Sequence, residues 1–195
     1  YYDSKSFVDH QIIYSNIRKV LVDHKEQVWL GTTRGLYKVV KKGENYIVSG
    51  IRELYSDTLD YNININSVLS LYEDSNNNLW IGTDGDGLFQ YNIESKTLKK
   101  IGKKEGLQQE TVASITTSQD GNLWIAGSKG LSKINLSKAN EVTNYNLNDG
   151  LLSNDFNNNA VFLDKKGTLY FGNYSGINYF DPENIITNPY EPSVY

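Results

Sequence analysis

The sequence contains no cysteine and no methionine, only two histidines and three prolines, and no apolar run of bilayer-spanning length. Without cysteine there is no disulfide framework, no thiol nucleophile and no thiolate metal site. That absence fits a reducing compartment and a bacterial periplasm equally. His10 and His24 leave little imidazole chemistry: either would need a partner nucleophile and an orienting acid, and no such motif surrounds them. Both read as surface residues. No signal peptide is visible, and the missing methionine, absent even from position 1, is expected of a piece of a longer chain. Positive charge is short as well. A net charge of −4 and a pI near 5.2 argue against a nucleic-acid partner, which needs a basic face to collect phosphates.

What is abundant is tyrosine, asparagine and repetition. The strings Val28-Trp29-Leu30-Gly31, Leu79-Trp80-Ile81-Gly82, Leu123-Trp124-Ile125-Ala126 and Leu169-Tyr170-Phe171-Gly172 recur 51, 44 and 46 residues apart. That period belongs to propeller blades. Six residues before each aromatic stand Asp23, Asp74, Ser118 and Asp164, preceded by short β-rich runs at 17–22, 68–72, 112–116 and 160–163. Beyond each aromatic comes a glycine followed by an aliphatic, at Gly35, Gly87, Gly130 and Gly176.

Each unit therefore predicts three strands joined by tight turns and a looser fourth strand. The acidic residue accepts backbone N–H groups two residues on and closes the first hairpin. The second turn is glycine-rich, where positive φ is needed. The central strand is apolar on consecutive residues, the pattern of a strand buried on both faces. The glycine two residues past the aromatic is expected to admit a bulky ring of the next blade. The fold class that follows is all-β: a propeller of four blades, each a four-stranded antiparallel meander. Residues 15–65, 66–109, 110–153 and 154–187 form the blades, 1–14 hold an outer strand, and 188–195 a linker. Residues 2–7 resemble 91–98 at the end of the second unit, which places the outer strand near residues 7–13. It either completes the last blade and closes a four-bladed ring, or belongs to a preceding blade in an arc of a propeller of about seven blades. The arc is the favoured reading, and its exposed faces would favour dimerisation.

From these residues a family resemblance follows. Asp74-x-x-x-Asn78-Leu79-Trp80-Ile81-Gly82-Thr83-Asp84-Gly85-Asp86-Gly87-Leu88 is similar to the two-component regulator propeller repeat. The stretch from Gly150-Leu151-Leu152-Ser153-Asn154-Asp155 to Gly176-Ile177-Asn178-Tyr179-Phe180-Asp181-Pro182-Glu183 looks like the final blade of such sensors. The third unit departs from the pattern at Ser118, Ala126 and Gly127, and the first carries extra residues around 41–60. The resemblance implies the periplasmic sensor part of a hybrid two-component histidine kinase, responding to an oligosaccharide and regulating transcription. It also implies a homodimeric parent, anchored in the membrane through a part of the chain beyond this one, and no catalysis by this segment. Two competing readings are a propeller lyase or hydrolase, similar in its blade strings to streptogramin lyases, and a structural or protein-binding propeller.

Asp74-x-Asn76-x-Asn78 begins like a calcium loop, but its sixth position is Leu79 and its twelfth Gly85. It reads as a turn, and no metal or other cofactor is expected. The tryptophans sit inside apolar strings and read as core. The charge run Lys99-Lys100 with Lys103-Lys104 decorates an outer strand. Propellers present ligands from loops at one end of the channel. The candidate binding residues are Arg34, Asp84, Asp86, Lys129 and Tyr174 in the turns between second and third strands. Tyr61, Asn62, Asn64, Gln108 and Asn154 join them from the connections between blades. Mixed charges and amides suit a hydroxyl-rich or partly anionic ligand.

Overall fold

The computed structural model describes residues 15–43, 45–54, 65–138 and 141–185. Each repeat becomes an antiparallel meander. The first blade holds β1 (Ile17–Val22), β2 (Val28–Thr32), β3 (Gly35–Lys42) and β4 (Asn45–Gly50). The second holds β5 (Val68–Glu73), β6 (Asn78–Thr83), β7 (Leu88–Asn92) and β8 (Thr97–Ile101). The third holds β9 (Val112–Thr117), β10 (Leu123–Gly127), β11 (Gly130–Asn135) and β12 (Glu141–Tyr145). The last holds β13 (Phe156–Leu163), β14 (Leu169–Asn173) and β15 (Gly176–Phe180). The expected fourth strand of the last blade is not found among the described residues. After Phe180 the chain turns at Asp181–Pro182, where Asn184 N–H closes on the Asp181 carbonyl and proline has no N–H for a ladder. No helix among the described residues is long and apolar enough to cross a membrane.

The six-residue spacing from acid to aromatic has a physical cause. Asp23 Oδ1 accepts the backbone N–H groups of Lys25 and Gln27, while its Oδ2 accepts the Trp29 indole N–H at 2.8 Å. Asp74 does the same for Asn76, Asn78 and Trp80. One carboxylate thus closes the hairpin and satisfies the only polar atom of a fully buried indole, which would cost about 1–3 kcal/mol if left unpaired. The third blade compensates for its departure. Ser118 Oγ accepts the Trp124 indole N–H at 3.1 Å and donates to the Asp120 carboxylate. In the last blade the Tyr170 hydroxyl donates to Asp164 at 3.3 Å.

Blades stack by burying these aromatics against the next sheet. Trp29, Trp80 and Trp124 are all 0% exposed. Trp29 packs with Leu71, Phe89 and Tyr91 of the second blade, Trp80 with Val112 and Ile115 of the third, and Trp124 with Phe156 and Phe171 of the fourth. The central strand β6 is buried through Leu79, Trp80 and Ile81, in keeping with its unbroken apolar string. What approaches the glycine after the aromatic is an inner-strand valine rather than a ring. A Cβ on Gly31 would sit 2.7 Å from Val68 Cγ1, and one on Gly82 2.7 Å from Val112 Cγ1. Hydrogen bonds cross the same seams, from Ser70 Oγ to the Val112 carbonyl and from Ser114 Oγ to the Asn157 carbonyl.

The four blades form an open arc. On the first blade Val20, in the register position of Leu71, is 54% exposed, whereas Leu71 is 4% exposed. On the last, Phe162 and Tyr179 are 65% and 67% exposed. The closed four-bladed ring is therefore set aside for the arc. The expected outer strand at residues 7–13, and His10 with it, lies outside the described residues.

Candidate functional site

Because the strands of each blade alternate in direction, the turns after each second strand and the connections between blades gather at one end of the arc. They are bolted to one another through the backbone. The Gly85 and Gly87 N–H groups both donate to the Glu110 carbonyl, and Gly130 N–H donates to the Asn154 carbonyl at 2.8 Å. Gly87 has φ +84° and Gly130 +103°, the left-handed region that glycine enters without strain. A Cβ on Gly35 would lie 2.7 Å from the Ile65 carbonyl oxygen, the same contact between the first two blades.

Between these bolts lies a cleft of about 310 Å³ at the mouth of the channel. Its apolar floor is Leu69, Ala113 and Phe156 from the inner strands. Its rim carries Arg18, Asp84, Thr111, Asp155, Asn158 and Tyr174. Arg18 Nη1 donates to Ser67 Oγ at 3.0 Å, which leaves its other N–H groups for a ligand. Thr111 Oγ1 lies 3.5 Å from Asp84 Oδ1. Tyr174, at the tip of the last blade's turn, is 82% exposed. Beside the mouth, the Lys103 ammonium lies 2.5 Å from Glu110 and holds its carboxyl below the usual range.

The last blade shapes the cleft by a bulge. Where the first three inner strands carry one extra residue near their start, β13 advances from Phe156 to Val161 while β14 advances only from Asn173 to Phe171. The surplus residues are asparagines. Asn158 reaches the cleft. Asn159, at φ +57°, donates its side-chain N–H across the channel to the Leu69 carbonyl at 3.0 Å, joining the fourth blade to the second. Asparagine tolerates that left-handed conformation better than most residues.

Of the residues singled out from sequence, Asp84 and Tyr174 line this cleft. Arg34, Asp86 and Lys129 occupy the same set of turns but are not part of its lining. Asn154 is engaged structurally, its Oδ1 accepting Leu147 N–H, and Gln108 is exposed in the connection before β9. Tyr61, Asn62 and Asn64 lie outside the described residues. Sequence reasoning missed Arg18, Thr111, Asp155 and Asn158. A charged side chain inside the apolar run 17–22 was the available signal for Arg18, and the triple asparagine 157–159 the signal for the bulge.

His24 sits at the opposite end of the blades, in the β1–β2 turn. Its Nδ1 is 2.5 Å from Glu73 Oε1 and its Nε2 is 3.5 Å from Glu94, which also pairs with Lys25 at 2.6 Å. The hydrogen bond to Glu73 raises the histidine pKa against the opposing effect of desolvation. Among the described residues no cluster of His, Asp and Glu could hold a metal ion. The calcium-like turn spends Asp74 and Asn78 on its own hydrogen bonds.

Four likenesses place this architecture among known proteins. Residues 62–85 match the two-component regulator propeller family. Histidine kinase P4 of Formosa agariphila is 32% identical over 186 residues, covering 95% of this chain, which spans 13% of that relative's length. The extracellular domain of a putative hybrid two-component system of B. thetaiotaomicron superposes with a TM-score of 0.70 at 22% identity, over 87% of this chain and 23% of that one. A virginiamycin B lyase of Staphylococcus aureus superposes at 0.60 with 12% identity, over 89% of this chain and 58% of the lyase. At such identities the superpositions show a shared fold.

Proposed function

We propose, from the premise that this chain carries two-component regulator propeller repeats, that it is an extracytoplasmic ligand-sensing segment of a histidine kinase and that its ligand is an oligosaccharide. The observation that carries the reading is the cleft at the channel mouth. It draws Arg18, Asp84, Thr111 and Tyr174 from four blades, with Asp155, around an apolar floor. Carboxylates and a guanidinium match pairs of vicinal hydroxyls, and an exposed tyrosine offers a face to the apolar side of a sugar ring. A ligand held by turns of several blades favours one relative placement of those blades. Differential affinity of that kind is what shifting a signalling equilibrium requires.

The test is thermal unfolding of the chain against a panel of neutral and acidic oligosaccharides. A sugar at a hundred times its dissociation constant adds about 2.7 kcal/mol to native stability. The expected result is a selective rise in Tm that Asp84→Ala and Tyr174→Ala abolish. No shift with any sugar at saturation, for folded protein, removes the oligosaccharide reading. The same chain would then be a protein-contact module.

A further inference from the structure

At the end of the arc opposite the mouth, the seams between blades differ from one another. There the turn between the first two strands of one blade meets the inner strand and the last hairpin turn of the next. At the seam between the first and second blades this meeting is filled by charge. The His24 backbone N–H donates to Glu73 Oε2 at 3.0 Å, and His24 Nδ1 lies 2.5 Å from Glu73 Oε1. Its Nε2 is 3.5 Å from Glu94, whose carboxylate also holds the Lys25 ammonium at 2.6 Å. One blade later, strand register puts Ser75 and Asn76 in the places of His24 and Lys25. It puts Thr117 and Ser137 in the places of Glu73 and Glu94. Four long side chains that pair by charge become four short uncharged ones, and the seam opens into a cleft of about 420 Å³.

The walls of this cleft are apolar and its rim is polar. Tyr72 and Leu136 line it and pack behind against the Trp80 cluster. The Tyr72 hydroxyl and Thr117 Oγ1 meet at 2.6 Å across the seam, which fixes the ring. Ser75 and Asn76 are exposed, and among the described residues their side chains make no hydrogen bond. Ser137 Oγ donates to Asn135 Oδ1 at 2.7 Å and keeps its lone pairs. Asp74 spends its oxygens on its own turn and on the Trp80 indole. Asp120 also lines the cleft, and the lining holds no lysine or arginine.

We infer that this cleft is a second ligand site, sharing no residue with the cleft at the mouth, and that it takes a neutral, hydroxyl-rich unit such as a sugar ring. Tyr72 and Leu136 offer surface to the C–H side of the ring. The Asn76 amide presents a donor beside an acceptor, which matches two neighbouring hydroxyls, and the Ser75 and Ser137 hydroxyls serve either role. Two carboxylates without a base in the lining select against an acidic sugar. A ligand here touches the second and third blades at once. It supplies the bridge that His24 and Lys25 make at the first seam.

The experiment follows the indole N–H resonances of the 195-residue chain by nitrogen-edited NMR during titration with cellobiose, maltose or xylobiose and, separately, with digalacturonic acid. The Trp80 N–H donates to Asp74 and the Trp124 N–H to Ser118, and both acceptors line the cleft. The Trp29 N–H donates to Asp23, outside it. A neutral disaccharide should shift the Trp80 and Trp124 resonances saturably and leave that of Trp29 in place. The shifts should persist in Asp84→Ala and Tyr174→Ala. Asn76→Ala combined with Ser137→Ala, both at exposed turn positions, should raise the dissociation constant at least about tenfold. No shift with any of the neutral sugars up to its solubility overturns the inference. So does a dissociation constant unchanged in the double variant, or a shift that Asp84→Ala or Tyr174→Ala abolishes, since the sugar would then sit at the mouth. An equal response to digalacturonic acid overturns the neutral class. The mouth is read separately through Tm, so failure here leaves the sensing proposal standing.

Discussion

The trailing faces of the first three blades are sealed and that of the fourth is open, although all four carry the same string. Trp29, Trp80 and Trp124 each meet an inner-strand valine or aromatic of the next sheet, while Tyr170 meets only its own strand neighbours. The difference teaches that the aromatic of this repeat is core only by virtue of the following blade. It also accounts for the chemistry at the open end. The indoles have a carboxylate or hydroxyl partner at 2.8–3.1 Å, whereas the tyrosine hydroxyl holds its partner at 3.3 Å within reach of water.

The largest effect that separates the two kinds of face is truncation. Trp80→Ala should cost about 3–5 kcal/mol in urea unfolding. Phe162→Ala, at a side chain 65% exposed, should stay within about 0.5 kcal/mol. Equal costs would mean that the last face is covered after all. Next in size is the partner of the indole. Asp74→Ala leaves the Trp80 N–H and the turn N–H groups without an acceptor and should cost about 2–3 kcal/mol. Asp164→Ala also frees two turn N–H groups, but its ring partner is a half-exposed hydroxyl that water can satisfy, so it should cost visibly less in the same assay.

Much of this contrast was legible in the sequence. Four copies of one string, with an acid or, once, a serine six residues upstream and a glycine downstream, specified the meanders, the buried central strand and the role of the tryptophans. The indole-to-carboxylate bond was not legible, because the acid already had a sufficient role in the hairpin turn. The seam contact at Gly31 and Gly82 was misassigned to a ring, since sequence shows that room is needed but not which side chain from the next blade uses it. At the cleft, the turn residues Asp84 and Tyr174 were found because turns announce themselves through glycine and aspartate. Arg18 and Asn158 were not, because their positions depend on strand register and a bulge of three residues, which alternation alone does not specify.

The mouth provides a smaller contrast. Asp84→Asn and Tyr174→Ala should each leave stability within about 0.5 kcal/mol, because Tyr174 is exposed and Asp84 meets the next blade only through a long 3.5 Å contact with Thr111 that an amide oxygen can keep. A larger loss for either would mark it as structural.

The smallest effect is the pH response of the first seam. His24 has a raised pKa, so its contribution is complete below the ordinary histidine pKa of about 6.5 and is lost as pH rises through the raised folded value. Glu94 is lowered, first by its hydrogen bond to Lys25, so its contribution is present above the ordinary carboxylate pKa and lost as pH falls through the lowered value. The groups facing His24 are Glu73, Glu94 and Asp23. Wild-type Tm should therefore fall relative to His24→Ala between mildly acidic and mildly alkaline buffer. An unchanged difference would detach His24 from the seam.

The most direct measurement is acrylamide quenching of Tyr170→Trp beside the wild type. The three native tryptophans are sealed, so wild-type fluorescence should be almost unquenched. In dilute solution the fourth tryptophan, beside the exposed Phe162 and Tyr179, should add a strongly quenchable component. A fourth tryptophan as protected as the other three in a dilute monomer would contradict the account, because the last face would then be closed within a single chain.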